Sequence, residues 1–232
     1  MFIKQKKILI IIVFVILVIT SIIAGFILTS KNKDLTYEEK VLAFEKENVN
    51  LEKGQIVFVG DSITAKYNLD YHYPGCSLET YNRGISGDTT NWLLTRMKSS
   101  VFDISPSKIV IMIGTNDINM GRSSEQIAEN YGAILDLIAL HLPDAQVFCI
   151  SIIPQNTKHS ENAAENNLLI QETNRKIKAL AEEKNYQYVD LYSKLLDDDL
   201  LLDRRYSTDG LHLGHIGYKV WTKAMQGLLD VM

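Results

Sequence analysis

The sequence predicts an α/β domain with a parallel sheet, and two features of its pattern indicate this fold class. Short apolar segments alternate with longer amphipathic segments, which is typical of strand and helix repeats. The short segments are apolar at nearly every position, as expected of strands that helices cover on both faces. Such a sheet binds ligands at the carboxyl ends of its strands, so polar residues at those ends are candidate site residues.

A long uncharged segment precedes this domain. Residues 8–30 contain no charged side chain, and a helix of this length spans a hydrocarbon core of roughly 30 Å. A cleaved secretory signal is an alternative, but it has a shorter apolar run, and "IIAGF" is a poor exit site. A buried core helix is a second alternative, but a run that is apolar all round and begins with a lysine cluster is unusual inside a domain. We therefore predict an uncleaved signal anchor. The flanking lysines place its N-terminus in the cytoplasm; they are Lys4, Lys6 and Lys7 before the segment and Lys31 and Lys33 after it.

Strands and helices can be assigned in chain order behind a short polar linker. Thr36 and Glu39 have the spacing of a capping box, which predicts a helix from Thr36 to about Asn48. The predicted strands are residues 55–60, 78–84, 108–117, 145–154 and 186–192. Further helices are predicted over residues 88–100, 123–141 and about 165–184, and a last one contains Tyr218, Trp221, Met225 and Leu228. The predicted organisation is a cytoplasmic tip and anchor (1–30), a linker with the leading helix (31–54) and the globular domain (55–232).

Composition and cysteine content limit the possible functions. The chain has 24 basic and 28 acidic residues, and residues 31–232 have 21 against 28, so a nucleic-acid partner is not expected. Cys76 and Cys149 lack the spacing of a disulfide framework. Neither has a neighbouring cysteine or histidine at metal-ligand spacing, and we expect no metal.

Four short motifs occur in order along the predicted domain. They are "GDSI" (60–63), "NRGISGDTT" (82–90), "IGTNDIN" (113–119) and "STDGLHLGHIGY" (207–218). Together they resemble the four signature blocks of the SGNH, or GDSL-type, hydrolases over roughly residues 55–220. Ile63 is the one departure, since the family has leucine there. The resemblance implies a flavodoxin-like, three-layer α/β/α fold with a five-stranded parallel sheet, and ester hydrolysis without a cofactor.

The residues of these motifs fit acyl transfer through a serine nucleophile. Ser62 follows a predicted strand directly and can present its hydroxyl. His212 is the candidate base, because Asp209 lies three residues earlier and one helical turn would bring its carboxylate beside the imidazole. The other histidines lack such an acid partner; they are His72, His141, His159 and His215.

Acyl transfer also needs hydrogen-bond donors for the oxyanion. The resemblance implies that these are the backbone N–H groups of Ser62 and Gly87 and the side-chain amide of Asn116. Gly84 is assigned a turn role. The two aspartates that adjoin the catalytic motifs, Asp61 and Asp117, are assigned structural hydrogen bonds.

The substrate is less well defined by the sequence. Tyr67, Tyr71 and Tyr73 lie in an aromatic loop and either line an apolar substrate pocket or pack on the following helix. The leading hypothesis is a membrane-anchored serine hydrolase of carboxylic esters or thioesters, either lysophospholipase- or thioesterase-like or a carbohydrate O-acetyl esterase. Its substrate would be a small ester, a lipid or an acylated carbohydrate. The alternatives are a catalytically weak envelope- or carbohydrate-binding module on the same fold, and a structural membrane anchor.

Overall fold

The structure is a computed structural model that describes residues 35–229. The chain divides into a unit of residues Met1–Glu38 and a compact unit of residues Glu39–Met232, which holds the sheet and the candidate site residues. The predicted transmembrane segment, residues 8–30, lies outside the described residues. Within residues 35–229, no helix combines the length and the apolar character that crossing a bilayer requires.

A five-stranded parallel sheet forms the centre of the larger unit, in the order β2-β1-β3-β4-β5. The strands are β1 (Ile56–Gly60), β2 (Thr80–Gly84), β3 (Lys108–Met112), β4 (Gln146–Ile150) and β5 (Gln187–Val189). Gly60 at the end of β1 lies opposite Gly84 of β2 and Met112 of β3. The carboxyl ends of these three strands are therefore level, and the segments that follow them begin at one edge of the sheet.

Helices cover both faces of the sheet, which makes three layers. The described helices are α1 (Tyr37–Asn48), α2 (Ser62–Ala65), α3 (Leu69–His72), α4 (Thr90–Ser100), α5 (Thr115–Asn119), α6 (Ser124–His141), α7 (Ala163–Glu183) and α8 (His215–Ala224). Apolar residues of α4, α6 and α7 pack with Val57 and Ile109 on one face. Those of α2, α3 and α8 pack with Phe58 and Val110 on the other. Alternate residues of β1 and β3 thus enter opposite cores, which explains their unbroken apolar runs.

The structure confirms the predicted α/β class and all five parallel strands, each within the predicted segment. Three short helices, α2, α3 and α5, were not predicted, because four or five residues are too few for a helical apolar period to show. The last helix ends at Ala224, with Met225 as its C-cap, and does not include Leu228. Gly227 adopts a left-handed φ of 81°, which interrupts helical geometry there.

Candidate active site

Ser62 is the first residue of α2, directly after β1. The Asp61 carboxylate caps this helix and accepts a hydrogen bond from the backbone N–H of Ile63 at 2.9 Å. Ser62 is 8% exposed, so only a small part of its surface is accessible to solvent. Its Oγ is 2.9 Å from Nε2 of His212, which is 150 residues away in the chain. The fold therefore brings the predicted nucleophile and the predicted base into contact.

His212 is held from its other side by Asp209. Nδ1 of the imidazole lies 2.7 Å from Oδ2 of Asp209. Because a carboxylate only accepts hydrogen bonds, the proton of a neutral imidazole resides on Nδ1, and Nε2 is left to accept the Ser62 hydroxyl proton. Burial raises the pKa of Asp209, but hydrogen bonds from the His212 ring and from the N–H groups of Leu211 and His212 outweigh it and bring the pKa below its usual range.

The local geometry of this pair differs from the predicted helical turn. Asp209 and His212 lie in an irregular turn that precedes α8. Oδ1 of Asp209 accepts from the N–H of Leu211 at 3.0 Å and of His212 at 2.8 Å. Gly210 between them has φ at 84°, a left-handed conformation that a helix does not contain. The aspartate side chain, rather than a helical backbone, closes the turn and places the carboxylate beside the imidazole.

The predicted oxyanion donors belong to three segments at the same sheet edge. Gly87 lies in an exposed turn after β2 with φ at 82°. Asn116 is in α5, after β3, and its Nδ2 donates to the backbone oxygen of Asp88 at 2.7 Å. This bond uses one amide hydrogen of Asn116 and leaves the second for a ligand. The backbone N–H groups of Ser62 and Gly87 have no acceptor among the described residues.

The three carboxylates at this edge have distinct surroundings. Asp117 accepts from the backbone N–H and the hydroxyl of Thr90, at 2.9 and 2.7 Å, and so ties α5 to the start of α4. Burial raises the pKa of Asp61 to about 7, and the Ile63 N–H opposes this shift. Burial raises the pKa of Asp88 to about 6, against the opposing effect of Arg96. The predicted structural roles of Asp61 and Asp117 agree with these contacts.

Arg96 is a buried charge that the sequence analysis did not single out. It is 2% exposed, lies in α4, and forms an ion pair with Asp88. Its spacing from Leu93, Met97 and Ser100 in the sequence could have indicated this burial, because the four residues share the buried face of α4. An arginine on an apolar helix face needs buried acceptors to be tolerated.

Two further predictions need correction. Gly84 ends β2 and is not a turn residue. Tyr67 is 2% exposed, and its ring stacks on those of Tyr218 and Trp221 at centroid distances of 4.8 and 4.7 Å. Its hydroxyl is 2.8 Å from Oγ1 of Thr222. Tyr67 therefore packs in the core and does not line a pocket, but the helix that encloses its ring is α8, near the end of the chain, and not the helix that follows it.

Tyr73 and Tyr71 differ from Tyr67 in their surroundings. Tyr73 is 5% exposed and Tyr71 is 55% exposed, and both border a cavity of about 460 Å³ beside α8, together with Lys219 and Lys223. A substrate role for these two residues stays a prediction.

His215 is the other histidine close in sequence to the pair. It is exposed at the start of α8, with its ring 5.2 Å from that of Tyr71. Within residues 35–229, no group of three or more histidine, cysteine or acidic side chains is arranged to hold a metal ion.

Comparisons with known proteins show which family the chain resembles. Residues 58–220 match the model of the GDSL-like lipase/acylhydrolase family. Among curated proteins, the chain is 28% identical over 178 residues to the platelet-activating factor acetylhydrolase IB subunit alpha1 of Bos taurus. It is 30% identical over 182 residues to the alpha2 subunit of Rattus norvegicus, and in both cases the match covers 75% of each chain.

Solved structures share the fold. A Streptococcus pneumonia protein, provisionally described as a platelet activating factor, is 27% identical with a TM-score of 0.77, and the match covers 91% of this chain and 98% of that one. An acetylxylan esterase variant from Geobacillus stearothermophilus has a TM-score of 0.63 at 17% identity, covering 78% of this chain and 96% of that one. At that identity the similarity concerns the fold alone.

Proposed function

Because the chain belongs to the GDSL-like lipase/acylhydrolase family, whose members hydrolyse ester bonds, we propose that it cleaves esters through an acyl-enzyme on Ser62. The observation that carries this proposal is the unbroken contact from Ser62 Oγ to His212 Nε2 at 2.9 Å and from His212 Nδ1 to Asp209 at 2.7 Å. A nucleophile, its base and the group that orients the base are thus in hydrogen-bond reach of one another.

In the first half of the reaction, His212 Nε2 takes the hydroxyl proton as Ser62 Oγ attacks the ester carbonyl carbon. Asp209 stabilises the imidazolium that forms. The carbonyl oxygen becomes an oxyanion that accepts hydrogen bonds from the backbone N–H groups of Ser62 and Gly87 and from Asn116. The intermediate collapses when His212 returns the proton to the leaving alcohol, and the acyl group remains on Ser62. Water, deprotonated by His212, then attacks the acyl carbon; the bond to Ser62 Oγ breaks as His212 returns the proton to that oxygen, and the acid is released.

A short acyl group is the substrate feature that we propose. The curated relatives support it, since they are acetylhydrolases. The leaving alcohol would belong to a lipid or a carbohydrate. A binding module without activity would not require the contact between Ser62 and His212, so this contact favours the enzyme.

For the N-terminal segment, we propose the single-pass anchor described above, with residues 55–232 as an extracytoplasmic hydrolase domain behind a linker and leading helix (31–54). The uncharged run of residues 8–30 and the lysines that precede it support this arrangement. Secretion after cleavage of this segment is the alternative.

The test is hydrolysis of p-nitrophenyl acetate, butyrate and octanoate by the purified full-length chain. We expect kcat/KM to be highest for the acetate ester. Ser62→Ala should lower it by about 10⁴-fold or more, and Ser62→Ala/His212→Ala should be hardly worse, because the residues act as one unit. A fluorophosphonate probe should label the parent and not Ser62→Ala.

His215→Gln is the matched control for the base, since His215 has no contact with Asp209 or Ser62 among those described. It should keep most of the activity. Near-parent activity and labelling in Ser62→Ala would refute the serine mechanism, and a loss in His215→Gln as large as in His212→Ala would refute the assignment of the base.

A further inference from the structure

The three oxyanion donors come from separate segments, so their relative positions depend on contacts between these segments. Ser62 follows β1, Gly87 follows β2 and Asn116 follows β3. We propose that Arg96 is the positioning residue that fixes all three donors relative to one another through contacts with the backbone and side chains of their neighbours. This inference rests on the proposed ester hydrolysis and assigns Arg96 no contact with substrate.

The contacts of the guanidinium reach each of the segments. One terminal nitrogen donates to the backbone oxygen of Gly60 at 3.0 Å, two residues before Ser62. The other donates to the backbone oxygen of Arg83 at 2.9 Å, at the end of β2, and to Oγ of Ser100 at 2.7 Å. Nε donates to Oδ2 of Asp88 at 2.8 Å, directly after Gly87. One planar group thus joins the ends of β1 and β2 to the turn that carries Gly87.

Asn116 is connected to the same group through Asp88. The Asp88 side chain is held by Arg96, and its backbone oxygen accepts the Asn116 amide at 2.7 Å. A second connection joins the end of β1 to the segment that carries Gly87. The backbone oxygen of Gly60 accepts hydrogen bonds from both Arg96 and the N–H of Ile85. Moving the guanidinium would therefore change the position of Asp88, and Asn116 and Gly87 with it.

Only arginine meets these demands. The guanidinium presents five N–H donors in a fixed plane, whereas the lysine ammonium is a compact charge with three donors. The Arg96 side chain is 1% exposed, so a lost bond is not replaced by bulk water. Arg96→Lys keeps the charge opposite Asp88 but cannot bond Gly60, Arg83 and Asp88 in the same geometry.

Arg83 provides a matched control. It is 4% exposed, and its side chain bonds Glu47 and Asn48 of α1 instead of the turn with Gly87. Both Arg96→Lys and Arg83→Lys remove a buried guanidinium, so both should lower the melting temperature. A merely structural role of Arg96 would give the two variants the same kinetic behaviour.

The experiment measures kcat and KM of the full-length chain for p-nitrophenyl acetate, with active sites counted by fluorophosphonate labelling. We expect Arg96→Lys to lower kcat by about 10- to 100-fold, with KM changed by less than about 3-fold, because displaced donors weaken only transition-state binding. Arg83→Lys should keep kcat near the parent. Against the background of Asn116→Ala, Arg96→Lys should cost less than in the parent, since one of the three donors that Arg96 positions is already absent.

An unchanged kcat in folded Arg96→Lys, or losses that multiply fully with Asn116→Ala, would overturn the proposal. Nuclear magnetic resonance of isotope-labelled glycine and asparagine amides supplies a readout without turnover. The Gly87 and Asn116 amide signals should shift in Arg96→Lys and not in Arg83→Lys; unmoved signals would overturn the positioning role. If the parent showed no Ser62-dependent hydrolysis, the proposed function would fail, while these signals would still decide the role of Arg96.

Discussion

Asn116 is oriented before any substrate arrives. One of its amide hydrogens is bonded to the backbone oxygen of Asp88 at 2.7 Å, which fixes the direction of the other. A donor that is already oriented need not reorganise as negative charge develops on the carbonyl oxygen. Its contribution should therefore appear in turnover and not in substrate affinity.

We expect Asn116→Ala to lower kcat by about 10²–10³-fold with little change in KM, as for the loss of one oxyanion donor. Asn119→Ala is the control on the same short helix; its Oδ1 accepts from Gln155, and kcat should stay near the parent value. Steady-state kinetics on p-nitrophenyl acetate measure both. A change confined to KM would mean that Asn116 binds the ground state of the substrate.

Asp61 is a buried acid with one unpartnered oxygen. Its Oδ2 has no hydrogen-bond partner among the described residues, and neither has the hydroxyl of Thr115. Burial raises the pKa of Asp61 to about 7. The native state therefore holds this proton more tightly than the unfolded chain, whose aspartate has a pKa of about 3.9. The contribution of Asp61 to the free energy of unfolding is therefore greatest below a pH of about 3.9. This contribution is lost as the pH rises to about 7.

We accordingly expect Asp61→Asn to gain stability relative to the parent as the pH rises from about 4 to 8. The asparagine oxygen can still accept from Ile63, and its amide removes the charge. Urea unfolding at both pH values measures the difference, and Asp70→Asn, at an exposed position, should show much less dependence. A relative stability that did not change with pH would show that Asp61 is not a buried acid of raised pKa.

At the scale of elements, two glycines allow close packing at the strand ends, Gly84 against α2 and Gly60 against β3. A Cβ on Gly84 would lie 2.2 Å from the backbone nitrogen of Ala65, and one on Gly60 would lie 2.1 Å from the backbone oxygen of Met112. Both neighbours are backbone atoms, which cannot rotate away. This close approach of β2 to α2 sets the position of Ser62.

We expect Gly84→Ala to destabilise the protein by about 1–3 kcal/mol and to lower kcat as well, because α2 must shift and Ser62 moves with it. Gly132→Ala in α6 is the control, since its Cβ would lie 3.5 Å from the Leu180 side chain, an ordinary contact. It should be neutral or slightly stabilising. Unfolding and kinetics together test this; full activity in Gly84→Ala would contradict it.

The three predicted strands at the centre of the sheet, residues 55–60, 108–117 and 145–154, agree with the structure because each contains a short apolar run that ends at glycine, proline or a polar residue. Ser62, Asp209 and His212 could be identified for a related reason, since their motifs are local in sequence. The burial of Tyr67 could not be predicted, because it depends on stacking with Tyr218 and Trp221, which are far away in the chain. The burial of Arg96 could have been predicted from its place on the apolar face of α4, but its contacts with Gly60 and Arg83 are assembled only by the fold.

At the scale of the whole molecule, the uncharged N-terminal segment determines the cell fraction in which we expect the hydrolase activity. The full-length chain should sediment with membranes and resist alkaline carbonate extraction, because the proposed span of residues 8–30 would be held by the hydrocarbon core. A chain that begins at residue 31 should be released by the same treatment and serves as the control. A mature protein that starts near residues 26–30 and is free in the medium would contradict the anchor.

The separation of 150 residues between Ser62 and His212 also has a consequence for biosynthesis. At about 5–20 residues per second, roughly 8 to 30 s of translation separate the nucleophile from its base. β1 is made first but lies between β2 and β3, so it must wait for both to be synthesised. The nascent chain therefore carries its serine without its histidine through most of its synthesis, and hydrolysis begins only after the C-terminal turn has been translated.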